Sequence, residues 1–295
     1  AVIPFAPTVI VTDVNVGVLY IVAVGAVGTL SIIMAGWSSN NKYALLGAFR
    51  AVAQMVSYEV PMVLALLVPV LLGQTMGINS LVSSQQVWYI LVTPIAALIF
   101  FISSMAETGR APFDLLEAES ELVAGFQTEY SGLKFGMFYV GEFIHAFTIS
   151  ALTATLFLGG WRGPGSEAYP VLGIIYFFIK TFLMYFIVAW IRISLPRLRI
   201  DQMLNFNWKF LTPLALVLLI ATAIVEKIWL VILPSLNLAE VAIPWVRGAA
   251  HLVVNLLLLW GVASLLKNVK VKSRREVGSP RPVAVAPEPP ASVIS

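Results

Sequence analysis

Glu59, Glu142 and Lys180 lie deep inside long apolar runs, where an ionised side chain costs about 2.5–3.5 kcal/mol on insertion scales. Groups of this kind can exchange a proton instead of remaining permanently charged, so three in one chain suit a proton path. The plainer alternative is that each faces a helix bundle, pairs off and holds neighbouring helices together. Arg50, Gln54 and Tyr58 recur at four-residue steps and put a polar stripe on one helical face. Glu59, nine positions from Arg50, falls on the opposite face. Pro61 and Pro69 follow it, and each removes a backbone donor and frees a carbonyl that could hold water beside the carboxyl.

Glu142 and His145 form E-x-x-H, a spacing also used by di-iron carboxylate bundles. That chemistry needs two such motifs and two further glutamates, and the other histidine, His251, stands alone, so a hydrogen-bonded pair is the better reading and no metal is expected. The richest segment is AETGRAPFDLLEAESELVAGFQTEYSGLK, residues 106–134. It sets Glu107, Asp114, Glu117, Glu119, Glu121 and Glu129 against Arg110 and Lys134. If residues 114–123 are helical, Asp114, Glu117 and Glu121 share a face, with Glu119 turned away. Clustered carboxylates cannot all ionise independently, so their titrations couple and the cluster can take up or release protons when a nearby charge changes. A simple solvated acidic face is the alternative.

The elements that must carry these residues are membrane helices. In 295 residues, 59% are hydrophobic and 11% charged, with a mean hydropathy of +0.91. Too little polar surface remains to cover a water-soluble globule, which excludes soluble enzymes, secreted modules and nucleic-acid binders. The chain has no cysteine, so it supplies no thiolate ligand for zinc or an iron–sulfur cluster, and redox cofactors must reside in partners. Seven runs are long enough to cross about 30 Å of hydrocarbon: 14–36, 44–72, 86–106, 133–158, 171–192, 210–233 and 246–266. Nothing alternates with the period of a membrane barrel. The expectation is an all-α integral membrane protein, a polytopic bundle of about seven transmembrane helices over 1–266, with a basic, then proline-rich, disordered tail over 267–295. No inverted repeat of the transporter kind is visible. Fourteen of the 18 lysines and arginines fall in or beside the loops 37–43, 107–132 and 193–209 and the tail, which the positive-inside rule makes cytoplasmic. Arg162, Lys227 and Arg247 fall on the other side. Among the cytoplasmic bases, Arg197 and Arg199 in the 192–209 loop are candidates for docking a peripheral partner or anionic lipid head groups. The opening AVIPFAP has no initiator methionine or signal peptide, and is expected to continue from a preceding segment.

The 106–132 segment closely resembles the cytoplasmic loop of the H-subunit (mitochondrial subunit 1) family of proton-pumping NADH-quinone oxidoreductases, respiratory complex I. AVIPF at 1–5, AGWSSNNKYALLGAFRAVAQMVSYEV at 35–60, LFLGGW at 156–161 and LPRLRIDQMLNFNWK at 195–209 resemble the same family in the same order, as far as about Ala223. In that family AVIPF follows a first transmembrane helix, an amphipathic quinone-side loop and most of a second helix. Gly109 stands where asparagine is usual, Leu116 where proline is common, and Gly141 and Phe143 replace alanine and tyrosine around Glu142; no charged group is altered.

The resemblance implies a membrane subunit that anchors the peripheral redox arm and helps form the chamber for a quinone substrate, ubiquinone or menaquinone. Iron–sulfur clusters and flavin would be held by partner subunits, with the other membrane subunits, quinone and lipid as contacts and the bacterial inner membrane as location. It assigns Glu107, Arg110, Asp114, Glu117, Glu119, Glu121 and Glu129 to the quinone-side coupling loop, and Glu59 and Glu142 to the proton path, where the residue reading adds Lys180, Arg50 and Tyr58. Homologous subunits of ferredoxin- or F420-linked complexes and of membrane-bound hydrogenases share the fold and stand as rivals. A cation or proton transporter and a pure scaffold are further alternatives.

Overall fold

The computed structural model describes residues 2–110, 112–114, 125–166, 168–232 and 243–268. Among these the chain is helical and contains no strand. It divides into one compact unit, residues 1–258, and a second, residues 259–295, whose described part is the end of the last helix. The tail beyond 268 and the acids Glu117, Glu119 and Glu121 lie outside the described residues.

The helices are α1 (Gly17–Ser38), α2 (Lys42–Gly73), α3 (Ile78–Ser84), α4 (Tyr89–Val92), α5 (Pro94–Glu107), α6 (Gly132–Phe157), α7 (Pro170–Ser194), α8 (Ile200–Phe206), α9 (Thr212–Ile232) and α10 (Ile243–Asn268). A π turn, Asn207–Leu211, joins α8 to α9 without a break, so Ile200–Val231 is one apolar stretch of membrane-crossing length. Six stretches among the described residues have the length and hydropathy of membrane spans. Segment 86–106, expected as one span, is instead broken between α4 and α5. Thr93 leaves helical geometry at φ −131°, ψ 68°, and Pro94 starts α5, where its missing N–H costs nothing. The remaining α5 has 14 residues.

The 32-residue α2 is the central post, packing against α1, α5 and α9. Asn41 caps its start, its side-chain oxygen accepting from the Tyr43 N–H at 2.9 Å. The helix runs through both Pro61 and Pro69. Pro61 cannot donate to the carbonyl four residues earlier, Ser57. That carbonyl accepts from Asn207 Nδ2 in the π turn at 2.6 Å. One carbonyl that sequence alone would offer to water is thus taken by protein. Around α2 the core is aliphatic and aromatic, including Tyr58, Leu66, Ile99, Phe100, Leu156 and Leu218. Close approach needs glycine: a Cβ on Gly36 would collide with Ala48 Cβ, and one on Gly47 would sit 2.9 Å from the Gly125 carbonyl carbon. Gly47 thereby lets the 125–131 segment lie flat on the start of α2.

Candidate functional site

A crevice runs between α1 and α6, backed by α2 and α5. It holds two cavities of about 400 and 440 Å³ that share Val24, Gly25, Glu107, Gly141 and His145. Glu142 and Gln127 line the first, on the side of the 125–131 segment. Glu59 and Tyr20 line the second. Glycines at 25, 28 and 141 keep the walls low, and a side-chain carbon on Gly25 would stand 3.9 Å from Glu107 Oε1. Glu107, at the end of α5, is therefore common to both cavities.

One ion pair and one longer approach join α5 and its loop to α6. Arg110 Nε donates to Glu142 Oε1 at 2.8 Å, and its guanidinium lies 4.6 Å from the centre of the Phe143 ring. Arg110 is only 5% exposed, so truncating it would leave Glu142 without this cation in a poorly hydrated setting. His145 Nε2 stands 3.8 Å from Glu107 Oε1. The E-x-x-H pair of the sequence thus turns to two different partners, one to Arg110 and one to Glu107. Gly109, between the two loop residues, has φ +65°. That left-handed conformation is open to glycine and asparagine at low cost, which accounts physically for glycine at the position where the resembling family has asparagine.

The other expected residues sit elsewhere. Lys180 does not reach the acids. Its ammonium donates to the carbonyls of Leu158, Gly160 and Arg162 at 2.8, 3.0 and 2.8 Å, tying down the chain that leaves α6. Tyr58 is fully buried and donates its hydroxyl to the Met203 carbonyl at 3.0 Å. Gln54, from the same stripe, donates to the carbonyls of Ala106 and Phe113, both at 2.7 Å, and so fixes the loop against α2. Arg50 is half-buried near the start of α2, and Asp114 is half-buried in the loop. Glu129 accepts from Asn41 Nδ2 at 2.8 Å and braces the α1–α2 turn. Arg197 and Arg199 are exposed, and the Leu198 N–H between them bonds to the Pro112 carbonyl at 3.0 Å, joining the basic loop to the acidic one.

Glu226, Arg247, His251 and Asn255, which sequence alone does not group into a site, form a second polar cluster at the far end of α2. The available signal was Arg247, His251 and Asn255 at four-residue steps in an apolar helix, the same pattern as Arg50, Gln54 and Tyr58.

Long apolar helices with ionisable side chains buried among them define a polytopic helical membrane protein. Residues 1–223 match the profile of the NADH dehydrogenase family, and the chain belongs to that family. It is 50% identical over 239 residues to the NADH-quinone oxidoreductase H subunit of Dehalococcoides mccartyi strain CBDB1, a match covering 81% of this chain and 65% of the relative. The H subunit of D. mccartyi strain ATCC BAA-2266 is 50% identical over 223 residues, covering 76% and 62%. That of Geobacillus sp. strain WCH70 is 45% identical over 230 residues, covering 78% and 69%. The chain spans just under two thirds of the length of the first two relatives.

Proposed function

We propose that this chain is a membrane subunit of a proton-translocating NADH:quinone oxidoreductase of the bacterial inner membrane, with its C-terminus cytoplasmic. The observation that carries the reading is the crevice in which Glu59, Glu107, Glu142 and His145 line adjoining cavities. In this reading the subunit anchors the peripheral arm and contributes to the chamber where quinone is reduced; partner subunits hold the flavin and iron–sulfur clusters, and no cofactor is bound by this chain itself. Reducing a quinone consumes protons, and the acids at 107, 114, 117, 119, 121 and 129 supply them or sense their loss as a coupled group. Glu107 and His145, 3.8 Å apart, hand the change on between the two cavities. Arg110 sets the charge on Glu142: a proton arriving at the carboxyl weakens the 2.8 Å contact and frees a guanidinium beside the loop. Arg197 and Arg199 hold the peripheral arm or the head groups of anionic lipids.

The test is turnover and proton pumping of the assembled complex in vesicles. Glu142→Gln and Glu59→Gln, near-isosteric and unable to exchange a proton, should lower coupled turnover by about tenfold or more, with Glu59→Asp milder. Both quantities at wild-type level in both Gln variants would reduce these carboxyls to packing groups.

A further inference from the structure

Beyond residue 223, where the family match stops, a polar cluster closes the end of α2 opposite the 125–131 segment. Glu226 on α9 accepts from Arg247 Nε at 3.1 Å and from its Nη2 at 2.6 Å. Arg247 Nη2 also donates to the Leu72 carbonyl at 2.7 Å, satisfying one of the last acceptors of α2. Gln74 Nε2 reaches Glu226 Oε1 at 3.4 Å, and His251 Nε2 lies 3.2 Å from Oε2. A carboxylate paired with arginine only accepts, so the imidazole contributes the proton of that contact from Nε2, and Nδ1 is the position left to bind or release one.

His251 is 1% exposed and Asn255 fully buried. Asn255 Nδ2 donates to the His251 carbonyl at 2.9 Å, which fixes the amide with its Oδ1 turned the other way. His251 Nδ1 and Asn255 Oδ1 have no hydrogen-bond partner among the described residues. With a neutral imidazole, two buried acceptors one helical turn apart therefore both lack a donor. A proton on Nδ1 converts one of them into a donor. His251 also lines, with Ser84, Gln86 and Tyr89, a cavity of about 310 Å³. Among the described residues, the charged and titratable groups around the ring are Glu226 from α9, Arg247 from α10 and the Tyr89 hydroxyl from α4. Gln74, the contribution from the end of α2, is neutral.

We propose that His251 is a proton-binding site that exchanges one proton at Nδ1 with the compartment opposite the 107–132 loop, and that turnover responds to the pH of that compartment through it. The inference rests on the reading of the chain as a subunit of a proton-translocating complex. It is tested on the assembled complex in vesicles, varying only the pH on that side across the near-neutral range. Wild-type turnover should change severalfold. His251→Gln keeps a donor toward Glu226 and cannot titrate, so its profile should be flat. Asn255→Asp sets a carboxylate one turn from Nδ1 and should move the midpoint up by about one pH unit. A wild-type profile that is already flat, or a His251→Gln profile that keeps the wild-type response, overturns the proposal. Should His251→Gln fail to assemble, Asn255→Asp decides, and an unmoved midpoint overturns it. Absence of quinone-reductase activity from a purified complex containing this chain would instead overturn the parent reading.

Discussion

Lys180 and Glu107 are both ionisable groups set among apolar helices, and their surroundings differ in kind. The Lys180 ammonium has three protons and donates to three carbonyls between 158 and 162, with the Trp88 ring 5.2 Å from its nitrogen. Gly159 and Gly160, at φ +73° and +47°, let the chain turn there. Glu107 faces another titratable group, His145, across two cavities. A charge whose hydrogen-bonding capacity is taken up by backbone is suited to holding the chain. On the function proposed above, one that meets a second proton acceptor beside open volume is placed to change state. Depth in the membrane distinguishes neither; the partners do.

The largest effect is expected at Lys180. Lys180→Met should orphan the three carbonyls, at about 1–3 kcal/mol for each buried unsatisfied group, and sharply lower both the level of folded chain in the membrane and its thermal midpoint in detergent. Lys180→Arg should recover most of the loss. Glu107→Gln should leave level and midpoint unchanged and depress quinone-linked turnover. A Lys180→Met chain as abundant and stable as wild type would make the contrast false. A smaller effect is expected at Gly47, which seats the 125–131 segment on α2. Gly47→Ala forces a carbon against the Gly125 backbone and should cost about 1–3 kcal/mol, seen as a lower thermal midpoint and faster proteolysis near residue 125. The smallest is at Gly109. Gly109→Asn should change stability by less than about 0.5 kcal/mol, whereas Gly109→Val, β-branched at φ +65°, should cost about 1–2 kcal/mol. Equal stability of the two variants would show that the left-handed turn does not hold Arg110 at Glu142.

The helical membrane fold was legible because burial in lipid demands long apolar runs, and they are conspicuous in any window of the sequence. The break at Thr93–Pro94 was legible too, from a proline inside an otherwise continuous run, but hydropathy averages across it. The crevice acids could be nominated from sequence because a carboxyl in an apolar run is costly wherever it points. Their partners could not. Arg110 meets Glu142 across 32 residues, and Lys180 finds carbonyls in a turn about 20 residues earlier. Neither distance follows from helical periodicity, which speaks only of neighbours three and four apart. Tyr58 shows the same limit: its place on a polar stripe does not say what its hydroxyl meets, which is the Met203 carbonyl.

The bond from Asn207 to the Ser57 carbonyl spans 150 residues of sequence, and this separation has a consequence in time. Chains grow at about 5–20 residues per second, so α2 is synthesised roughly 8–30 s before Asn207 exists. Throughout that interval α2 enters the bilayer with an acceptor that its own proline has left without a donor. Unmet backbone groups in hydrocarbon cost several kcal/mol, so nascent α2 has reason to stay near water, the translocation machinery or another polar neighbour. Asn207 is then the residue whose arrival allows α2 to settle, and the order of synthesis makes the π turn a late latch on α2.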